Sequence, residues 1–502
     1  MTGGACGMTG LGGRHRDRRT FALRLAALAS VAALLAGCGS FGGEKPTPQP
    51  IVPAAAPKVA PAPTAVSQEQ ARIAAAYGGV YPKPDLVALL NSVADRLAAA
   101  SERPDLRYKV TLLNSPLINA FALPNGNLYV TRGLLAVAND TSEIAAVLAH
   151  EMAHVTARHA FQRADEERKA VLVSRVVSDV LEDREAGAVA LAKSKLSLAS
   201  FSRAQELEAD RIGVQNIARA GFDPYGASRF LLSMGRQSEL RSAALGQKPS
   251  QPGLDFLSTH PSTPERVQLA VTAARQISAP GVGERDRDAY LVALNGTTYG
   301  DDPAQGFARG RRFLHPRLGF TFLAPEGFTF ENGSEALLGV APDGRALRLD
   351  AARLGSGQTL ESYINENWID GVEPGPVEKL EVNGMEAVTV VARGKEWTFR
   401  FAAVKFGADV YRLIFAARDL TPDIDEGFRA SLSTFRRLTQ AESEQAQPLR
   451  IEVATVRAGD TEETLARRMA VTDRALERFA VLNGFAPGDP LQAGLRVKVI
   501  GE

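Results

Sequence analysis

The sequence predicts a multidomain protein in which a mainly α-helical unit with a small β-sheet is followed by an α+β unit and then by a small strand–helix–helix–strand unit. Apolar residues recur at helical spacing through the first half of the chain. Between residues 311 and 438, β-branched and aromatic residues alternate as they do in strands. A chain of 502 residues has room for about three such units.

The helical unit is expected over residues 67–280, followed by a linker of glycine, proline and polar residues over 281–310. Asp140 and Glu143 are spaced as the N-cap and N3 residues of a capping box, so a helix should begin there. Its predicted strands lie near 106–113 and 127–131. The predicted helices of this unit cover 68–77, 84–101, 141–165, about 166–200, 203–220, 225–240 and 264–277.

The stretch His150-Glu151-Met152-Ala153-His154 lies within the helix predicted over 141–165 and has the spacing of a zinc site. Residues i and i+4 share one face of a helix, so His150 and His154 would direct two imidazoles at one point. Glu151 stands beside them, where its carboxylate can take a proton from a metal-bound water. The chain has six histidines, which makes a chance match rare; the alternative is a surface helix with two solvated histidines.

A structural zinc site is usually closed by four protein ligands, often cysteines, whereas a catalytic site keeps one position open. The two cysteines, Cys6 and Cys38, both lie in the N-terminal segment, which favours a catalytic site. Glu206 and Asp210 are again i and i+4 on a predicted helix, and they offer a third ligand and a carboxylate that orients a ligand histidine. A solvated acidic helix face, including Glu208, would explain this spacing equally well.

Five stretches that follow one another along the chain carry a family resemblance: Asn119 to Pro124, Tyr129 to Leu135, His150 to His159, Glu206 to Asp210, and Ser258 to Pro261. Together they resemble the gluzincin metalloproteases related to the CAAX prenyl endopeptidase and HtpX. The soluble periplasmic branch of that family, the β-barrel-assembly-enhancing protease lipoproteins, is the most similar in pattern. The resemblance covers residues 70–280. It implies a zincin fold for this unit.

The resemblance also implies roles for individual residues. Zinc would be held by His150, His154 and Glu206. Glu151 would act as the general base, and Asp210 would hydrogen-bond a ligand histidine. Zn²⁺ is therefore the expected cofactor.

His260 has two possible roles. In the resembling branch the matching histidine can approach the zinc, occupy the open position and hold the enzyme latent, which suits a neutral imidazole. Alternatively, His260 braces the helix start that Thr263 and Pro264 predict as N-cap and N1. His159 would lie about 140° around a continuous helix from His154, so it is not expected to be a ligand. His315 lies in a different unit and is expected to be structural.

Substrate binding is also implied by the resemblance. The strand at 127–131 would form the edge of the active-site sheet, where an extended peptide could add by backbone hydrogen bonds. Residues 164–200 read as a largely helical insertion of mixed charge. That insertion could cover the cleft as a lid, or it could be plain scaffold.

The N-terminus reads as a secretory leader. Residues 1–37 combine a basic start with a short apolar run, and they end in Leu34-Leu35-Ala36-Gly37 before Cys38. This resembles a bacterial lipobox, which implies cleavage and lipid attachment at Cys38, although an ordinary signal peptide is the alternative. Several acyl chains on one residue would anchor the protein firmly, and Gly39 favours the outer membrane. Residues 38–66 contain seven prolines from Pro46 onward and read as a semi-rigid spacer.

The last two units carry no evident catalytic residues. Residues 311–438 are expected to form an α+β domain that binds or positions a partner. Residues 450–501 resemble a LysM module, a βααβ glycan-binding fold, through Val456 to Thr461, Leu482 to Gly484, and Leu491 to Val499. The resemblance implies attachment to peptidoglycan. An aromatic residue often found after the first of these stretches is missing, which leaves sugar binding open.

The sequence therefore indicates a zinc endopeptidase of the bacterial envelope that hydrolyses misfolded or stalled periplasmic and outer-membrane proteins. The outer-membrane assembly machinery is a possible partner, and the net charge of +1 gives no sign of nucleic-acid binding. One alternative is a chaperone-like assembly factor whose proteolysis is latent under His260. Another is a peptidoglycan-binding structural lipoprotein with a vestigial protease unit. A glycan hydrolase is disfavoured, because no separate pair of carboxylates is evident.

Overall fold

The structure is a computed structural model that describes residues 68–165, 168–169, 201–245, 260, 263–333, 336–355, 357–367, 372–471, 473–486 and 489–502. The predicted leader, the lipobox with Cys38, the proline-rich spacer and most of the 164–200 insertion lie outside these residues. Among the described helices, none combines the length and the apolar character that crossing a bilayer requires.

The N-terminal unit is mainly helical, as the sequence predicts. Its strands are β1 (Lys109–Leu113), β2 (Ala120–Ala122) and β3 (Asn127–Thr131). Its helices are α1 (Gln68–Ala76), α2 (Pro84–Ala100), α3 (Arg132–Val137), α4 (Thr141–Thr156), α5 (Arg203–Arg219), α6 (Gly226–Leu245) and α7 (Pro264–Ile277).

The three strands form one sheet in the order β1-β3-β2, with β1 parallel and β2 antiparallel to β3. The expectation that 127–131 forms the sheet edge is therefore wrong, because β3 is the central strand. The short strand β2 occupies the edge next to α4. Strand β2 was not predicted, because a three-residue strand is too short for an alternating pattern to stand out.

Helix α4 begins as predicted, with the Asp140 side chain accepting from the backbone N–H of Glu143. In return, the Glu143 carboxylate accepts from the N–H of Asn139, one residue before the cap. All residues from Thr141 to His154 are buried, so the helix runs through the interior of the unit. It crosses α5 at Gly213, where an added Cβ would lie only 3.4 Å from the backbone nitrogen of His150. The two helices that carry the predicted ligands are thus in close contact.

The segment predicted as a linker, 281–310, is folded. Helix α8 (Arg287–Leu294) buries Tyr290, Leu291 and Leu294 completely. It is followed by β4 (Thr298–Tyr299) and β5 (Phe307–Arg309), which pair with later strands. The glycines and polar residues that suggested a linker lie in the turns between these short elements.

The region 311–438 has the predicted α+β character. A four-stranded sheet is ordered β16-β7-β6-β5, and a larger sheet is ordered β11-β13-β14-β15-β10-β9-β8, with β12 pairing β13. The strands are β6 (Arg312–His315), β7 (Phe320–Leu323), β8 (Thr329–Asn332), β9 (Leu337–Val340), β10 (Ala346–Arg353), β11 (Glu373–Pro374), β12 (Glu378–Val382), β13 (Met385–Arg393), β14 (Thr398–Phe406), β15 (Asp409–Ala417) and β16 (Arg436–Arg437). Helices α9 (Leu360–Asn367) and α10 (Pro422–Ser433) pack on this layer.

A short helix α11 (Gln440–Gln445) leads to the last unit. There β17 (Leu449–Thr455), α12 (Glu462–Ala466), α13 (Ala475–Asn483) and β18 (Arg496–Gly501) follow in the strand–helix–helix–strand order that was predicted. Strand β17 pairs antiparallel with both β18 and β4. Because β4 belongs to the folded 281–310 segment, the C-terminal unit shares its sheet with the chain that leaves the helical unit.

The C-terminal unit also reaches the start of α4. Lys498 on β18 is fully buried, and its ammonium group donates to the carbonyls of Ala136 and Ala138 at 2.8 and 2.6 Å. Burial lowers the pKa of Lys498 well below its ordinary value. Arg287 adds a second link, donating to the carbonyls of Asn139 and Arg496 at 2.9 and 3.2 Å. The chain entering α4 is therefore held in place by the C-terminal strand.

Replacing Lys498 with methionine should destabilise the whole fold, because it leaves the buried carbonyls of Ala136 and Ala138 without a donor. We expect a loss of about 2 kcal/mol in the free energy of unfolding, measured by chemical denaturation. The half-exposed Lys405 provides the control, since Lys405→Met should change this free energy by less than about 0.5 kcal/mol. Equal stability of the Lys498→Met protein and the wild type would contradict the assigned role.

Candidate metal centre

Four side chains from three separate stretches of the chain converge in the interior. His150 and His154 come from α4, Glu206 comes from the first turn of α5, and His260 precedes α7. One ligand atom from each lies within 4.8 Å of the corresponding atoms of the others, and all four side chains are buried. Helix α5 is fixed at this end by a capping box between Ser202 and Gln205.

The distances show how closely these groups approach. The Nε2 atoms of His150 and His154 are 3.1 Å apart. Glu206 Oε1 lies 3.4 Å from His154 Nε2, and Glu206 Oε2 lies 3.5 Å from His150 Nε2. His260 Nδ1 lies 2.8 Å from Glu206 Oε1 and 3.2 Å from His150 Nε2. The packing of α4 against α5 thus brings together the three residues that were predicted as ligands.

Asp210 lies one helical turn beyond Glu206, with its Oδ1 atom 3.0 Å from Nδ1 of His150. This is the contact expected for a carboxylate that fixes a ligand histidine from behind. Arg266, on α7, donates to both oxygens of Asp210 at 2.7 Å. A further nitrogen of Arg266 lies 2.9 Å from Glu206 Oε2. Sequence reasoning did not select Arg266, because an arginine near the start of a helix has no distinctive spacing.

The proton equilibria of these groups follow from burial and from their partners. Burial by itself lowers the pKa of His150, but its contacts with Asp210 and Glu206 raise that pKa to about 10. Burial lowers the pKa of His154 to about 3, which keeps this imidazole in the neutral form that ligates metals. Although burial opposes it, Arg266 and His150 hold the pKa of Asp210 at about 2. The three histidines likewise hold the pKa of Glu206 far below its ordinary value against the effect of burial.

Glu151 points into the same interior and is 2% exposed. Burial raises the pKa of its carboxyl group, and His260 and His150 partly offset that rise. The nearby backbone N–H of Ala122, on the edge strand β2, also limits this rise in pKa. Glu151 Oε1 lies 3.8 Å from His260 Nε2. The carboxylate that the sequence predicted as a base therefore lies beside the ligand cluster and close to the edge strand β2.

His260 reaches the cluster, and the helix start named in the alternative role is also present. Thr263 caps α7 by accepting from the N–H of Arg266, and Pro264 occupies the first helical turn. The His260 ring lies against Glu206 and His150.

The remaining histidines differ from one another. His315 lies in the α+β region, where its ring accepts from the N–H of Leu318, and burial lowers its pKa to about 4. His159 is close to the cluster but contacts it from outside: its Nδ1 atom lies 2.9 Å from Nδ1 of His154. His159 was not expected to be a ligand, and its contact with His154 was not predicted.

The donor set fits a divalent metal ion. Three imidazole nitrogens and a carboxylate oxygen point at one buried place, and nitrogen and oxygen donors of this kind suit zinc and similar cations. Nε2 of His154 lies only 3.1 Å from Nε2 of His150, so a single cation could accept a lone pair from each ring in its neutral form. The residues present therefore fit a divalent metal ion.

Comparison with known proteins agrees with this geometry. Residues 85–274 match the model of peptidase family M48. Over 220 residues, or 42% of this chain, the protein is 32% identical to the "Beta-barrel assembly-enhancing protease" of Yersinia pestis, covering 43% of that protein. It is 34% identical over 218 residues to the protein of the same name from Escherichia coli O157:H7, covering 42% of this chain and 43% of the relative.

A mitochondrial protein matches the same part of the chain. The "Mitochondrial metalloendopeptidase OMA1" of Schizosaccharomyces pombe is 34% identical over 193 residues, covering 36% of this chain and 50% of that protein. The chain thus spans half or less of the length of these curated relatives. The motif, the buried donor set and these matches lead to one conclusion: residues 85–274 of this chain are a peptidase family M48 domain.

Proposed function

We propose that this protein is a zinc-dependent endopeptidase of the bacterial cell envelope that hydrolyses misfolded or stalled periplasmic and outer-membrane proteins. The observation that carries the proposal is the buried convergence of His150, His154 and Glu206 with Glu151 alongside. Two imidazoles and one carboxylate are a typical ligand set for catalytic zinc. In this assignment Asp210 orients His150, and the fold of residues 67–280 is a zincin.

The chemistry divides between the metal and the protein. Bound zinc would polarise the scissile carbonyl and make a water molecule acidic. The Glu151 carboxylate accepts the proton of that water and returns it to the leaving amine. Burial supports this role, because it raises the pKa of Glu151 toward the range in which a carboxylate can both take and give a proton.

Strand β2 is the proposed binding site for the substrate backbone. Asn119 and Leu123 make backbone hydrogen bonds to β3. Because antiparallel bonding alternates along a strand, the backbone groups of Ala120 and Ala122 point away from the sheet. A peptide laid along this edge would pair with them and pass directly beside Glu151. Recognition of backbone rather than side chains suits unfolded protein substrates.

The envelope location rests on the sequence and the relatives. The lipobox at Cys38 supports a lipid anchor in the outer membrane, and the names of the bacterial relatives support a partnership with the machinery of β-barrel assembly. Residues 450–501, as a LysM-like module, would add attachment to peptidoglycan. In this arrangement the proline-rich segment 38–66 separates the anchor from the protease unit, and residues 311–438 position a partner.

Replacing Glu151 with glutamine should abolish hydrolysis and leave metal binding intact, because glutamine has the same shape but cannot accept the proton. We expect casein cleavage by zinc-loaded protein lacking residues 1–38 to fall by about 10²- to 10⁴-fold, with one zinc per chain retained. Glu102→Gln, at an exposed position, is the matched control and should cleave casein as the wild type does. If Glu151→Gln cleaved at the wild-type rate, the assigned base would be wrong.

A chaperone-like assembly factor with latent proteolysis is a second candidate function, and the position of His260 favours it. With His260 in the cluster, four protein donors surround the metal position and no site is left for water. A factor that acts without proteolysis would keep its cellular role in the Glu151→Gln variant, whereas an obligate protease would lose it.

Removing this fourth donor should raise the basal activity. In the His260→Ala protein the metal position is open to water, so we expect casein cleavage to increase on the order of tenfold, measured as an initial rate. The double variant His260→Ala/Glu151→Gln is the control and should be inactive, because the released activity must still depend on the same base. A loss of activity in His260→Ala alone would mean that His260 takes part in turnover instead of restraining it.

A further inference from the structure

His159 reaches the metal centre because the chain bends between α4 and the next helical stretch. Helix α4 ends at Thr156, and the chain becomes helical again over 159–165. Between them, Arg158 adopts a left-handed conformation with φ of 59°. This conformation costs a residue other than glycine about 1–2 kcal/mol. On a straight helix His159 would point about 140° away from His154, so the bend creates the contact.

The contact is specific in its atoms. His154 turns Nε2 toward His150 and Glu206, which leaves Nδ1 on the far side of the ring. Nδ1 of His154 lies 2.9 Å from Nδ1 of His159, within a completely buried environment. Because a ligand imidazole uses the lone pair of one nitrogen, its other nitrogen carries the hydrogen. Nδ1–H of His154 therefore donates, and Nδ1 of His159 accepts.

The other side of His159 completes this arrangement. Its Nε2 atom lies 3.4 Å from Oε2 of Glu208, a carboxylate that is half exposed. Once Nδ1 accepts from His154, Nε2 must carry the hydrogen and face Glu208. Phe201 stacks on the ring of His154, with ring centroids 3.9 Å apart. The His154 ring is thus confined both by stacking and by a directed hydrogen bond.

Each predicted ligand then has its own supporting side chain. Asp210 lies behind His150, and Arg266 lies against Glu206. His159 is the corresponding support for His154, and it differs from the other two because it is a neutral ring rather than an ion.

We propose that His159 is a positioning residue of the metal centre, which holds His154 in the tautomer and orientation that present Nε2 to the metal. The inference rests on the proposed function in one respect, namely that the cluster binds zinc. It adds a residue whose place in the sequence predicted no role.

Two substitutions separate the hydrogen bond from simple packing. His159→Phe keeps a ring of similar size but has no acceptor for Nδ1–H of His154. His159→Asn is smaller, but its side-chain oxygen can occupy the place of the Nδ1 acceptor. We expect zinc affinity, measured by competition with a chromophoric chelator, to fall about 10- to 100-fold in His159→Phe and to recover most of that loss in His159→Asn.

The absorption spectrum of the cobalt-loaded protein gives a readout of ligand geometry that does not depend on activity. The visible bands should shift or lose intensity in His159→Phe and return toward the wild-type bands in His159→Asn. Glu208→Gln is the matched control: it keeps an acceptor for Nε2–H of His159, so both readouts should stay close to the wild type. Equal loss in His159→Phe and His159→Asn, or no loss in either, would overturn the proposal.

A measurement on the unsubstituted full chain tests the proposal even if the variants fail to fold. In zinc-loaded protein with ¹⁵N-labelled histidine, His159 should appear as the Nε2–H tautomer and His154 as the Nδ1–H tautomer. The opposite tautomer at His159 would overturn the proposal even if both substitutions unfolded the protein. If the wild-type chain bound no zinc, the proposed function itself would fail. If the wild-type chain bound zinc but His159 had the opposite tautomer, or the substitutions left zinc affinity unchanged, only the role of His159 would fail.

Discussion

The burial of several ionisable groups at one point is the constraint on which the rest of the structure depends. His150, Glu151, His154, Glu206 and His260 are each at most 6% exposed. Taking charged groups out of water costs several kcal/mol per ion unless partners replace the lost hydration. Here the partners are Asp210, Arg266 and His159, which contact the cluster from three sides. Helix α7 contributes one of these partners, because its first turn carries the Arg266 guanidinium, which contacts both Glu206 and Asp210.

The start of α4 is fixed by a second polar network. Asp140, fully buried, accepts from Arg285 at 2.8 Å and from Arg229 at 3.3 Å. Arg229 also donates to Asp223 at 2.8 Å, joining α6 to the turn before it. Lys498 binds the carbonyls that precede this cap. A helix held at its first turn by three other elements can carry His150 and His154 with little freedom to move, which suits ligands that must meet at one point.

Sequence patterns predicted the parts of the site that depend on a single helix. The four-residue spacings His150–His154 and Glu206–Asp210 place each pair on one face, and the caps at Asp140 and Thr263 followed from residue type. Arg266 and His159 could not be predicted in this way. The first needs the packing of α7 on α5, and the second needs a bend that a straight-helix projection excludes. The same limit applies to the larger fold: β4 and β5 are too short to recognise until their partner strands are known.

The four donors of the cluster are not equivalent, and this difference bears on the proposed latency of the site. His150, His154 and Glu206 are held within regular helices, where a change of position would break helical hydrogen bonds. His260 lies in a bend ahead of the N-cap of α7, outside any helix. Moving its ring away from the cluster would therefore break no helical hydrogen bond. A fourth donor outside the helices, beside three donors within them, is the arrangement that the proposed latency of the protease needs.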